Sequence, residues 1–482
     1  MSAPTATVLH ELTAVEQCEA LRERSVSAVE LTEHYLARID RLSEGLGAFV
    51  TMTPELALRE AAEADRRFAH GDHPHRSLQG LPIAFKDLQP IAGVAVTNGS
   101  AVLPAVTAEE DAAAVGLIRA AGAVMLGTTH APELGIPCYT DTAVVGRPAV
   151  TPYDLGRSAS GSSGGAAAAV AAGLIPVGHG SDGAGSIRTP ASVCGLVGVK
   201  PSRGVVSAAP ASSFFGFSTD GPLARTVEDA ALLLDAMAVR KPRGLHEFAA
   251  STYSSFLTSS RRRTTRRLRI AVWTDSGFGA AHPENIAAVD RIAAMLDGLG
   301  HEIVEITNPA PWDTDLAQAF FDYIGGVVSG LLAGLPVTHE GALQEDTRWM
   351  KQRGDRLGAT DFVKSTAALA AFADRFIAGL APYDLAVSPV SAEAAVPLGS
   401  FHRGRSGEAP YRMLEWSAHT PLQNMSGLPA ISIPSHVTAD GLPLGVQLTG
   451  TAIGSDPMLF SLAAQLESEI GWAGRHPQVW WE

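Results

Sequence analysis

GRSASGSSGGAAAAVAAGLIPVGHGSDGAGSIRTPASVCGLVGVK, residues 156–200, is the stretch on which the reading of this chain turns. Small residues dominate it, and single charges stand at Arg157, Asp182, Arg188 and Lys200. Two Gly/Ser clusters flank an Ala-rich helix and a short apolar run. Glycine lacks a Cβ, so backbone N–H groups in such clusters can approach a ligand closely. A serine inside one is either a turn residue or a nucleophile. The candidates are Ser162, Ser163 and Ser186.

Outside this stretch, the chain reads as alternating helices and short apolar strands. Ser27-Ala-Val-Glu30 forms a capping box ahead of a helix with Leu31, Tyr35, Leu36 and Ile39 on one face. A further helix follows, ELALREAAEADRRFA. The loop HGDHPHR carries three histidines but no carboxylate or thiol at ligand spacing, so it reads as a solvated turn rather than a metal site. In LQGLPIAFKDL (78–88), Lys86 ends an apolar strand between Phe85 and Leu88, an environment that can desolvate an ammonium. Residues 111–135 read as helix, Gly stop and strand. Thr226 is placed to cap a helix running to Val239. The basic run 259–267 has no interleaved aromatics and leads directly into the strand RIAVW, so it reads as a solvated linker. Residues 312–380 are helical and carry Phe320, Phe321, Tyr323 and Trp349 as core or pocket residues. DLAVSPV, PAISIPS and GLPLGVQLTGT are strands, and DPMLFSLAAQLESEI is a closing helix. This alternation predicts an α/β fold with a central mixed, mostly parallel sheet surrounded by helices.

Composition narrows the function. The chain has 482 residues, 46% hydrophobic, and a formal net charge of −14, which argues against unassisted binding to nucleic acid or an anionic membrane. Three cysteines, Cys18, Cys138 and Cys194, supply no disulfide framework and no CxxC pair. The N-terminus lacks a signal-peptide pattern, and no apolar window reaches the ~20 residues of a membrane span. The expectation is a soluble cytoplasmic protein, monomer or homodimer, that takes a diffusible small molecule, with no metal and no cofactor.

Three motif readings compete. Gly178-His-Gly180-Ser-Asp-Gly183 matches G-x-G-x-x-G. A dinucleotide site there needs a helix to follow and an acidic residue ~20 positions on, but Pro190 breaks the would-be helix and position 203 is Arg. Gly161-Ser-Ser163-Gly-Gly165 matches the nucleophile elbow G-x-S-x-G, yet the preceding PYDLGRSAS is polar and turn-like instead of an apolar strand. The third reading joins Lys86 to the serines. A lysine freed of its proton by burial can serve as base, and Ser–Lys pairs are a variant of the catalytic triad. The run Gly183-Ala184-Gly185-Ser186 offers successive N–H groups to an oxyanion.

With these segments together, the chain resembles the amidase signature family. The matching stretches are GLPIAFKDL, AGAVMLGTTHAPELG, residues 156–204, GPLARTVEDAALLLDAM, PYDLAVSPV and TPLQNMSGLPAISIP…DGLPLGVQLTG. The resemblance implies one domain over 1–482. Its parts are N-terminal helices (1–75), a catalytic core (76–240), a variable helical substrate-side region (241–383) and closing strands with a helix (384–482). It implies an amidase whose catalytic set is Lys86, a cis-peptide Ser162 and the nucleophile Ser186. The oxyanion hole is implied at Gly183, Ala184, Gly185 and Ser186, with Ser163, Asp182 and Arg188 in support. Pocket candidates by position are Ile136, Cys138, Tyr139, Phe215, Trp416 and Gln423. The alternatives are an amide synthase or a glutamine-amidotransferase A-type subunit with the same triad, and a non-catalytic binding protein. The chain departs from the family pattern at Ala184, at Thr128-Thr129-His130 and over 146–153, stretches that the resemblance sets near the substrate wall.

Overall fold

Apolar runs bounded by Gly and Pro become the strands of one eleven-stranded sheet. In chain order these are β1 (Phe49–Met52), β2 (Pro82–Lys86), β3 (Val124–Thr129), β4 (Val177–Asp182), β5 (Val197–Lys200), β6 (Thr219–Ala224), β7 (Arg269–Val272), β8 (Glu302–Glu305), β9 (Leu385–Pro389), β10 (Ala430–Val437) and β11 (Pro443–Gly450). Their spatial order is β1-β3-β2-β4-β6-β5-β10-β11-β9-β7-β8. The computed structural model describes residues 8–71, 78–207, 209, 216–239, 255–333, 340–403 and 407–482. The histidine-rich turn at 72–77 and Phe215 fall outside them.

The sheet is mixed, as expected, but parallel pairing is confined to two blocks. One is β3-β2-β4 and the other β9-β7-β8. Each contains a helical crossover between parallel neighbours, β2 to β3 and β7 to β8. Antiparallel pairs join the blocks through β6, β5, β10 and β11. The short turn between β10 and β11 permits only that orientation.

Local signals place the helices. The box at Ser27 caps α2 (Ala28–Leu46), just as Thr13 caps α1 (Ala14–Glu23). The third N-terminal helix is α3 (Pro54–Ala69). The signature helix α4 (Gly164–Ala171) is buried along its whole length. A Cβ on Gly165 would stand 2.5 Å from both the Ala48 carbonyl oxygen and the His130 nitrogen, so only glycine lets α4 lie this close to its neighbours. Pro190 does not break the following helix, α5 (Arg188–Val193). It sits in the first turn, where its missing N–H costs no intrahelical bond. Thr226 accepts from the Asp229 N–H at 3.1 Å and caps α6 (Val227–Met237).

Helix α7 (Thr314–Ala333) corrects the expectation about apolar length. It has 20 residues and is apolar enough to cross a membrane by length and composition, although most of it is buried inside the fold. It packs with α8 (Glu345–Asp355) and α9 (Ala359–Leu380) around Phe320, Phe321, Tyr323, Phe372 and Phe376. In the basic run, Arg261, Arg263 and Arg266 are exposed and pair with Glu228, Glu469 and Asp384.

Candidate active site

Strand β2 carries Lys86 on its last residue, and parallel pairing sets Ala84 opposite Gly178 of β4. That register brings Lys86 level with the Ser181–Asp182 end of β4. The Lys86 side chain is fully buried. Its Nζ lies 2.7 Å from Ser162 Oγ, 3.0 Å from Ser181 Oγ and 3.2 Å from the Ser181 carbonyl oxygen. Burial pushes the amine down to about 7, against the opposing pull of the Asp220 and Asp182 carboxylates. His179 of β4 also lies beside Lys86. Its Nδ1 accepts from the Lys86 N–H at 3.4 Å, and its Nε2 lies 3.6 Å from Asp220 Oδ2.

Ser181 stands in the G-x-G-x-x-G run whose dinucleotide reading the sequence disfavours, and the sequence offers no other role for it. Its contacts bear on the protonation of Lys86. The Ser181 carbonyl can only accept, so it takes one N–H, and the Ser181 hydroxyl takes a second. A neutral amine has two N–H groups and one lone pair. An ammonium would donate at all three contacts, whereas in a neutral amine two N–H groups held by Ser181 would leave the lone pair to the Ser162 hydroxyl. The Gly161–Ser162 peptide bond is cis. Ser163 Oγ lies 3.3 Å from the Ser181 carbonyl oxygen, and the Ser163 N–H donates to the Ser186 carbonyl at 3.1 Å.

The turn after β4 is organised by Asp182. Its carboxylate accepts from the N–H groups of Gly185 (2.8 Å), Ile187 (3.1 Å) and Arg188 (3.3 Å). It also pairs with the Arg188 guanidinium through Nη2–Oδ1 at 2.8 Å and Nε–Oδ2 at 3.0 Å, with both side chains fully buried. Burial alone would raise the Asp182 carboxyl. The Arg188 charge and the hydrogen bonds from Arg188 and Asn424 outweigh it, leaving the carboxyl well below the usual carboxylate range. The remaining guanidinium donors reach Gln423, Gln447 and Asn424 at 2.6–3.1 Å.

The Gly185 N–H is thereby committed to Asp182, which removes it from the four oxyanion donors expected. Among the described residues, the N–H groups of Gly183, Ala184 and Ser186 have no partner, and neither does the Ser186 hydroxyl. Gly185 has φ +122°, and a Cβ there would overlap Thr420 Oγ1 and stand 2.8 Å from Thr420 Cβ. Thr420 itself donates to the Ala184 carbonyl at 2.8 Å. Gly185→Ala is expected to destabilise the fold by about 2 kcal/mol and to lower turnover by displacing the Ser186 turn. Thermal unfolding and activity measured on one preparation check both effects.

A cavity of about 280 Å³ opens onto Ser162, Ser181 and Ser186. Ile136 and Cys138 are among its lining residues. The other pocket candidates are placed differently. Tyr139 lines an adjacent cavity of about 290 Å³, and its hydroxyl donates to Asp346 at 2.6 Å. Trp416 is buried against Phe401, ring centroids 5.9 Å apart. Gln423 belongs to the Arg188 network. Thr128, Thr129 and His130 form no part of the Ser186 cavity lining. His130 instead bridges the Gly47 carbonyl and the Thr142 hydroxyl, and burial pushes its imidazole down to about 4. The apolar wall comes from α7, α8 and α10 (Ala409–Ser417): Phe320 and Phe321, read from sequence as core or pocket, and Ile324, Met350 and Met413, which the sequence does not single out. Their helical spacing reads equally as core. Among the described residues no group of three or more His, Cys, Asp or Glu is placed to hold a metal.

Comparison with known proteins follows this geometry. The Amidase family model matches residues 30–460. AmiA2 of Mycobacterium tuberculosis is 37% identical over 467 residues, covering 96% of this chain and 94% of that protein. The 6-aminohexanoate-cyclic-dimer hydrolase of Paenarthrobacter ureafaciens is 33% identical over 495 residues, covering 97% and 96%. A solved structure of a 6-aminohexanoate cyclic dimer hydrolase with substrate superposes with a TM-score of 0.88 at 31% identity, covering 98% of this chain and 99% of that one.

Proposed function

The chain belongs to the amidase signature family, and from that premise we propose that it hydrolyses a carboxylic amide through an acyl-enzyme on Ser186, with Ser162 as proton relay and Lys86 as base. Ser186 Oγ attacks the carbonyl carbon and passes its proton to Ser162, while Ser162 passes its own to the neutral Lys86 amine. The N–H groups of Gly183, Ala184 and Ser186 receive the oxyanion. The tetrahedral adduct collapses and breaks the C–N bond. The departing nitrogen takes a proton from Ser162, which Lys86 replenishes. Water then attacks the ester by the same relay in reverse, releasing the carboxylate and restoring Ser186. Ser163, Asp182 and Arg188 support the geometry from outside the cavity lining.

One observation carries this reading: the fully buried Lys86 amine lies 2.7 Å from the hydroxyl of Ser162, which lines the same cavity as Ser186, and its other two contacts are both to Ser181. The deprotonated amine is the working form. Activity is therefore gained as pH rises through the folded-state value of about 7, with kcat/KM climbing tenfold per unit below it and level above. Lys86→Met is expected to lower kcat by about 10³ and to erase that limb from the residual rate. Steady-state kinetics between pH 5 and 9 test this. A Lys86→Met enzyme that keeps both its rate and its pH limb would remove Lys86 from the mechanism.

A further inference from the structure

The cavity in front of Ser186 differs in one chemical respect from the cavity beside it. Among the described residues its lining contains no Asp, Glu, Lys, Arg or His. The adjacent cavity, on the far side of the Cys138–Tyr139 segment, is lined by Asp141, Glu345 and His402 among others. Absence of charge is thus a local property of the Ser186 cavity. Ser162, Ser181 and Ser186 stand at the reacting end, and the rest of the polar lining, Gln89 and Asn98 included, is uncharged. Its apolar wall includes Phe320, Phe321 and Ile324 of α7, Met350 of α8, and Met413 of α10. The lining reaches solvent at Leu331, which is 47% exposed. Arg353 of α8 pairs with Asp322 of α7 at 2.6 Å, and Asp220 accepts from Gln89 at 2.9 Å.

We infer that the substrate is an uncharged amide bearing an apolar group of medium length, seated against α7, α8 and α10, and that amides of amino acids, glutamine included, are rejected. The inference rests on the reading of Ser186 as the acylated nucleophile. An ammonium or carboxylate carried into this space would lose its water and find no counter-ion, which is strongly unfavourable. An apolar chain gains from the same desolvation. At about 280 Å³ the cavity holds roughly nine water volumes of about 30 Å³ each, room for a chain or ring of moderate size.

The test uses the wild-type enzyme with butanamide, hexanamide, heptanamide and octanamide, set against glutamine and 6-aminohexanamide. The last matches heptanamide in length but ends in an ammonium. The expected result is a rise in kcat/KM of about four-fold per added methylene from butanamide to octanamide. Heptanamide is expected to exceed 6-aminohexanamide by at least 100-fold, with no measurable turnover of glutamine. A flat or falling series, or a charged amide turned over as well as its neutral match, would overturn the inference. Titration of the same preparation with a fluorophosphonate separates this failure from a deeper one. Stoichiometric label on Ser186 with the wrong preference refutes only the substrate class, whereas no label refutes the nucleophile assignment itself.

Discussion

Ser186→Ala is expected to lower kcat for amide hydrolysis by a factor on the order of 10⁶, the scale seen when the nucleophile of a cooperating serine constellation is removed. The side chain reaches the cavity and makes no hydrogen bond to other described residues. Its loss therefore leaves the fold unstrained. The Ser163 N–H still donates to the carbonyl of residue 186, and Asp182 still holds the turn through the N–H groups of Gly185, Ile187 and Arg188. The thermal midpoint should stay within about a degree of wild type, because a small polar deletion at a cavity wall ordinarily lies within ~0.5 kcal/mol. Activity lost with the midpoint unchanged is the signature of a reacting atom. Hydrolysis retained in Ser186→Ala would shift the nucleophile to Ser162 or Ser163.

Arg188→Met is expected to carry the largest cost in stability, about 3–5 kcal/mol, because it breaks a fully buried ion pair and leaves its partner uncompensated. The wild-type pair is closed on all sides: Asp182 has acceptors filled by three backbone N–H groups, Asn424 and Arg188, and Arg188 also reaches Gln423, Gln447 and Asn424. The sign with pH distinguishes this from simple loss of packing. In the wild type the folded carboxyl lies below its unfolded value, so its stabilisation is present above ~4 and is lost only as pH falls through the lower folded value. With Arg188 gone, burial dominates and raises the Asp182 carboxyl. A raised carboxyl contributes stability at low pH that is lost as pH climbs through the folded value. Arg188→Met should therefore be more destabilised at pH 8 than at pH 5, read as the shift in urea midpoint against wild type at each pH. Equal shifts at both would mean the pair acts only through shape.

Much of this was legible in the chain because the features are local or carry strong patterns. The capping box at Ser27, the Thr226 cap and the short apolar strands need only nearest neighbours along the sequence. The joining of Lys86 to Ser162 rested on residue chemistry together with resemblance, since no periodicity brings residues 76 positions apart together. What escaped depended on three-dimensional closure. Ser181 holds Lys86 through register between β2 and β4, which the sequence does not encode as a motif. The Gly185 N–H was counted toward the oxyanion because glycine runs expose N–H groups, but the Asp182 carboxylate three residues back claims it. Gln423 looked like a pocket residue and is a ligand of Arg188. Ile324, Met350 and Met413 line the cavity with the same spacing that a plain core helix shows, a spacing that left Phe320 and Phe321 open between core and pocket.

The central claim is that Ser186, and no other serine of the signature stretch, becomes acylated under the control of Lys86. Its most direct test is peptide mapping by mass spectrometry after treatment with a fluorophosphonate at pH 8. One adduct per chain is expected, on Ser186, formed far more slowly in Lys86→Met. An adduct on Ser162 or Ser163, or a labelling rate indifferent to Lys86→Met, would contradict it.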